Sequence, residues 1–195
     1  MFNEAMRKSI DDLLCVPQEA LKDKLSLALE DIRIYGIGRL LGEYPDFLAR
    51  LLNKLKQMNA ASLFSQAPEV AKQLTDLFWE GVGSRANQSP DMKSVLEKAE
   101  RFLHVNIEAS DSPFKSHFIV EMGKITGASG LLHFKDEDFR FMGPTEVLID
   151  LLTGDLPLGF SNLRLQTAGH SGWVSRVSPV MREVAKLLKG ALNNT

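Results

Sequence analysis

From Pro17 to Tyr35 the apolar residues Leu21, Leu25, Ala28, Leu29 and Ile32 recur every three or four positions. That spacing lays one apolar stripe along an α-helix. Gly36 and Gly38 interrupt it. A second helical stretch runs to about Met58, with Leu40, Leu41, Tyr44, Leu48, Leu51, Leu52 and Leu55 on one side. Pro45 kinks or divides it, because proline lacks the N–H that the helical ladder needs. A third helix follows Pro68, carries Val70, Leu74, Leu77 and Phe78, and is expected to end near Gly81 and Gly83. The polar run from Ser84 to Ser89 reads as a linker. Ser89-Pro90 then opens a fourth helix, since serine caps free amides and proline suits the first helical position. Its stripe is Met92, Val95, Leu96, Ala99, Phe102 and Leu103.

After that helix the period changes. Phe118, Val120 and Met122 alternate with His117, Ile119 and Glu121, which is strand behaviour. Leu132 with Phe134, and Phe139 with Phe141, repeat the alternation on either side of Lys135-Asp136-Glu137-Asp138. This predicts two antiparallel strands over 131–142, joined by an acidic hairpin turn. Gly143-Pro144 starts a short helix bearing Val147, Leu148, Leu151 and Leu152, and Gly154 stops it. Leu163 and Leu165 begin another strand, with Arg164 and Gln166 facing away, and Gly169 and Gly172 break it. Ser178-Pro179 repeats the helix-opening dipeptide before Val180, Val184, Leu187 and Leu188. The fold class predicted is α+β: a helical region over 1–88, then an α+β domain over 89–195.

Bulk properties narrow the function classes. A length of 195 residues permits one large domain or two small ones. Hydrophobic residues make up 44% and charged residues 25%, ordinary for a globular protein. The net charge is -2, and neither half forms a charged arm, so nucleic acid is not an expected partner. The single cysteine, Cys15, excludes an intramolecular disulfide and a cysteine-built metal site. It reads as a small apolar residue beside Leu13 and Leu14. Met1 to Ile10 mixes Glu4, Arg7 and Lys8 among apolar residues and lacks the core of a signal peptide. No run approaches the ~20 apolar residues that span a bilayer, so a soluble cytoplasmic protein is expected.

Catalytic motifs fail on inspection. Gly36-Ile37-Gly38 lacks the third glycine of a dinucleotide loop, because Leu41 stands there. Gly169-His170-Ser171-Gly172-Trp173 is a near miss for a nucleophile elbow: Trp173 occupies the position that needs glycine. No histidine follows His170 to complete a serine triad. His104, His117, His133 and His170 show no helical i, i+4 pair for zinc. His117 and His133 could meet across the sheet with Asp136 or Asp138, but solvent-facing strand histidines are the expected case. Trp79 and Trp173 are each read as a pocket wall or a core plug. A non-catalytic protein with no cofactor and no metal is therefore expected.

Phe139-Arg-Phe-Met-Gly-Pro144, then Thr145-Glu-Val-Leu-Ile-Asp-Leu-Leu-Thr-Gly-Asp-Leu-Pro157, then Leu163-Arg-Leu165 and the closing helix to Leu188 resemble the sterol carrier protein type 2-like family. With the helix from Pro90 and the strand around Phe118, the resemblance covers roughly residues 90–190. It implies a mainly antiparallel, curved sheet covered by helices around an apolar tunnel that binds fatty acyl chains, sterols or similar lipids without covalent chemistry. The residues it would place in contact with lipid are Phe118, Val120, Leu132, Phe134, Phe139 and Phe141 from the sheet. From the helices it takes Val147, Leu148, Leu151, Leu152, Val184 and Leu188. The alternative is a regulatory module whose N-terminal amphipathic helices bind a protein partner or a second copy in a homodimer.

Overall fold

The computed structural model describes residues 4–16, 18–99, 102–156 and 164–190. Seven helices come first: α1 (Glu4–Cys15), α2 (Gln18–Tyr35), α3 (Ile37–Glu43), α4 (Phe47–Gln57), α5 (Ala60–Gln66), α6 (Pro68–Ala86) and α7 (Pro90–Lys98). The remainder is β1 (Phe102–Ala109), β2 (Lys115–Glu121), β3 (Lys124–Ser129), β4 (Phe139–Gly143), α8 (Thr145–Thr153), β5 (Gln166–Gly169) and α9 (Ser171–Gly190). The α+β class is as expected, with helices first and an open sheet after them. The sheet order is β3-β2-β1-β4-β5. Among the described strands only the pair β1–β4 is parallel, with Val105 opposite Phe139 and Ile107 opposite Phe141; the other pairs are antiparallel.

Alternation gives the sheet two unlike faces. Leu103, Val105, Ile107, Phe118, Val120, Ile125, Phe139 and Phe141 point inward and are all buried. α6 covers β3 on this face, and α8 lies against β1 and β4. Trp79 on α6 is 2% exposed. Its indole Nε1 donates to Ser116 Oγ at 2.7 Å, and its ring lies 5.1 Å from that of Phe118. Gly127 on β3 makes room for it: a Cβ there would sit 2.6 Å from the indole. One buried apolar cluster thus runs from Ile10 to Leu188, through both parts of the chain.

The opposite face is crossed by the 131–138 segment, where the sequence predicts a hairpin. Residues 131–138 form no strand, and β4 pairs with β1 instead. The reason lies in the acidic tetrad, whose carboxylates serve as anchors. Asp138 accepts from the His104 backbone N–H at 2.8 Å. Glu137 accepts from Asn106 Nδ2 at 2.5 Å and from Arg140 Nε at 2.9 Å. Asn106, fully buried, also bonds both the N–H and the C=O of Leu132.

Other expectations also need correction. The helix opened by Ser89 is capped as predicted, with Ser89 Oγ accepting from Met92 N at 3.2 Å, but it stops at Lys98. Phe102 and Leu103 begin β1. α6 does not stop at Gly81 or Gly83; it continues to Ala86, so the first half of the expected linker is helix. Gly81 marks a close helix crossing, where a Cβ would lie 2.7 Å from Leu48 Cδ1. Met122 is no strand residue: it sits exposed at φ 50°, with Gly123 at φ 73°, in the two-residue β2–β3 turn. α9 starts at Ser171, with Pro179 inside it. Leu163 lies outside the described residues, and β5 begins only at Gln166.

Candidate functional site

α8 is the pivot of the site. Asp111, in the β1–β2 loop, accepts from Thr145 N at 2.8 Å and Thr145 Oγ1 at 2.7 Å. A carboxylate at a helix N-terminus satisfies free amides and complements the dipole. At the other end Gly154 takes φ 71°, and Asp155 N and Leu156 N both bond back to Asp150 O. This left-handed ending lets the chain turn under α9. Ala185 Cβ would be only 2.5 Å from a Cβ at Gly154, so the end of α8 and the middle of α9 touch.

Beside that contact the two helices part around a cavity of about 280 Å³. Leu151, Leu156, Met181 and Ala185 form its floor. Arg182, Lys186 and Lys189 form its rim. Lys186 Nζ pairs with Glu183 at 2.6 Å. Lys189 Nζ pairs with Asp155 at 2.8 Å and donates to Gly154 O at 3.3 Å. Asp155 Oδ2 also meets Lys56 Nζ of α4 at 2.5 Å, and Lys56 reaches Asp150 at 2.7 Å. Hydrogen bonds from Lys189, Lys56 and Thr153 hold the Asp155 carboxyl well below the usual carboxylate range. For Lys56, burial works against the charge, but the hydrogen bonds it donates to Asp150 and Asp155 outweigh it and raise the ammonium pKa. An ionic clasp therefore joins α4, the end of α8 and α9 at the cavity rim.

Two further hollows differ in chemistry. One, about 40 Å³, lies where α4, α5 and α6 meet β2 and α8, among Leu52, Leu55, Phe64, Phe78, Ile149 and Leu152. Its few polar groups are satisfied: Thr75 Oγ1 donates to Ala71 O at 2.7 Å, and Ser116 Oγ accepts from Trp79 and donates to Ala128 O. An apolar void of this kind stays dry. The other, about 470 Å³, lies between α2 and α6 and is polar, with Glu30, Arg33, Asp76 and Glu80 in its walls.

The residues expected to contact lipid separate into groups. Leu151 lines the α8–α9 cavity and Leu152 the small junction void. Phe118, Val120, Phe139, Phe141, Val147, Leu148, Val184 and Leu188 are buried at 0–5% exposure in the packed core and line none of these three hollows. Leu132 is half-buried in the segment that crosses the far face of the sheet. Phe134 is 65% exposed there, beside His133 and Lys135. Sequence reasoning missed Met181, Arg182, Ala185, Lys186 and Lys189. Their signal was readable: cations at 182, 186 and 189 run one residue behind Met181, Ala185 and Leu188, two adjacent stripes on one helix.

The remaining candidates are accounted for singly. His104 sits beside Asp138 and His117 Nδ1 lies 3.0 Å from Gly130 O. His133 and His170 accept from nearby backbone N–H groups. Among the described residues no group of three or more histidine, cysteine, aspartate or glutamate side chains could hold a metal ion. No helix among them is long and apolar enough to cross a membrane. Trp79 is buried in the core and also borders the small junction void; Trp173 is half-buried with Arg176 stacked over it at 4.6 Å.

No family model matches the chain, and no curated protein matches it. Among solved structures it is similar to apo sterol carrier protein 2 from Yarrowia lipolytica, at 11% identity and a TM-score of 0.43, over 57% of this chain and 91% of that one. It is also similar to the UbiJ-SCP2 ubiquinone synthesis protein, at 14% identity and a TM-score of 0.44, over 60% and 96%. A sec-alkylsulfatase, Pisa1 from Pseudomonas sp., matches 92% of this chain at 13% identity and a TM-score of 0.42. The match spans only 30% of that enzyme. A shared fold does not specify a function, so the chemistry of the cavity decides the reading. The resemblance read from the sequence thus has two SCP2 structures among the solved structures similar to this chain, over 57% and 60% of it.

Proposed function

We propose that this protein binds or transfers a hydrophobic ligand, an acyl chain or similar lipid, without covalent chemistry, in the cavity between α8 and α9. The observation that carries the reading is the division of that cavity into an apolar floor and a cationic rim. A binding site for an amphiphile needs both, since the tail must leave water while the head stays near it. The cavity volume of about 280 Å³ is close to the lower end of the ~300–1,000 Å³ typical of small-molecule sites. Each methylene moved from water to the floor stabilises the complex by about 0.8 kcal/mol. A soluble carrier in the cytoplasm is part of the same proposal.

The test uses a fluorescent fatty acid and native mass spectrometry. Ser178, half-buried on α9, lines the cavity, and Ser178→Trp puts an indole into the space. Wild type is expected to take up the probe saturably, and the variant to lose at least tenfold in affinity with its melting temperature unchanged. A wild-type chain that emerges bare and takes up no probe overturns the proposal.

A further inference from the structure

We infer that the ligand is an anionic single-chain amphiphile, a fatty carboxylate, and that Arg182 holds its head; this rests on the cavity reading above. Among the described residues the lining contributes three cations, Arg182, Lys186 and Lys189, and no carboxylate. Two of the three are already engaged. Lys186 is held by Glu183 at 2.6 Å, and Lys189 by Asp155 at 2.8 Å. Arg182 is exposed and, among the described residues, has no hydrogen-bond or ion-pair partner. It follows Met181 directly and precedes Ala185 by three positions, so it stands on the helix face next to the apolar floor. A tail lying on Met181, Ala185 and Leu151 ends within reach of this guanidinium. The planar fork of arginine matches the two oxygens of a carboxylate, which a point-like ammonium does not. A neutral hydroxyl head, such as that of a sterol or a fatty alcohol, would leave the cation without a counter-charge. The charge complementarity therefore selects a fatty acid over its neutral analogues.

The experiment displaces the fluorescent probe with dodecanoate and with dodecanol, in wild type, Arg182→Gln and Arg182→Lys. Wild type is expected to prefer the carboxylate by about tenfold, which corresponds to about 1.4 kcal/mol. Arg182→Gln should bring the ratio close to one without changing dodecanol affinity, and Arg182→Lys should restore part of the preference. Raising the salt concentration should shrink the preference in wild type and leave Arg182→Gln unmoved, because the rim is exposed to solvent. Equal binding of both ligands by wild type, or equal loss of both in Arg182→Gln, overturns the headgroup assignment. If Ser178→Trp still abolishes uptake in that case, the cavity reading stands alone. If wild type binds neither ligand, the cavity reading and the headgroup assignment fall together.

Discussion

Gly127→Ala should loosen the hold of α6 on the sheet. The new methyl would lie 2.6 Å from both Trp79 Cγ and Cδ2, and 2.6 Å from His117 O. Carbon atoms are in comfortable contact at about 3.5–4.0 Å, so one neighbour must retreat by about 1 Å. The carbonyl belongs to the β2–β3 ladder, where Phe118 faces Gly127 and His117 faces Ala128. The indole is held by its bond to Ser116 at 2.7 Å, by Phe118 at 5.1 Å and by Phe78 at 5.0 Å between ring centres. Overpacking of this kind costs about 1–3 kcal/mol, and the lower backbone entropy of alanine in the unfolded chain returns about 0.5–1 kcal/mol of it. A net loss of about 1–2 kcal/mol lowers the melting temperature by about 2–8 °C for a chain of this length. Far-UV circular dichroism through a thermal ramp, with urea unfolding beside it, measures the change. Gly42→Ala is the control: nothing lies within 4 Å of a Cβ there, inside α3, so that variant should be unchanged or slightly more stable. Combining Gly127→Ala with Trp79→Phe, which shrinks the ring, should cost at least about 0.5 kcal/mol less than the sum of the single changes. A Gly127→Ala protein that melts within 1 °C of wild type, or strict additivity in the pair, refutes the account of how helix and sheet are locked.

Asn106→Ala should cost about 2–3 kcal/mol, because the buried amide bonds Leu132 N at 2.8 Å and Leu132 O at 3.2 Å and both would lose their partner; hydrogen exchange over 131–138 should quicken, and unchanged protection there would contradict the anchoring role. Asp155 has a depressed pKa in the folded state, so its contribution to stability is fully present above the ordinary carboxylate range and is lost as pH falls below about 5. Its side chain is 44% exposed, which limits the gain to about 1 kcal/mol or less after solvent screening; Asp155→Asn should flatten the acid side of a stability-versus-pH curve, and an unaltered curve would show that the clasp is not what titrates. A fragment of residues 89–195 loses α6 from the inner sheet face and should bind a hydrophobic dye and aggregate; a monomeric, dye-free fragment with a cooperative melt would show that the two parts fold independently.

Much of the local structure was legible because it is written within single elements. Leu25, Ala28, Leu29 and Ile32 mark α2, and each is buried. The alternation Phe118, Val120 marks β2. Gly143-Pro144 and Gly154 bracket α8 to within a residue or two. The misreadings came where two periods overlap. Phe102 and Leu103 continue the helical stripe of α7 by spacing, yet Leu103, Val105, Ile107 and Ala109 alternate into the sheet, and long-range pairing with β2 and β4 decides between the two. For β4 the strand was legible and only its pairing was not: Phe139 and Phe141 look like the return strand of a hairpin, but Glu137 and Asp138, which would form its turn, are bound to His104, Asn106 and Arg140.

What residue order alone determined is the inventory: an α+β chain, helices before sheet, apolar stripes in the right registers, and no recognisable catalytic motif. These follow from side chains three, four or two residues apart, which meet through the geometry of one helix or strand. Which surfaces cover one another was decided only in three dimensions. Trp79 meets Ser116 across 37 positions and Lys56 meets Asp155 across 99, and periodicity holds no record of such pairs. The same packing filled the space under Phe118 and Phe141 with core side chains, opened the cavity between α8 and α9, and left Arg182 without a counter-charge at its rim among the described residues.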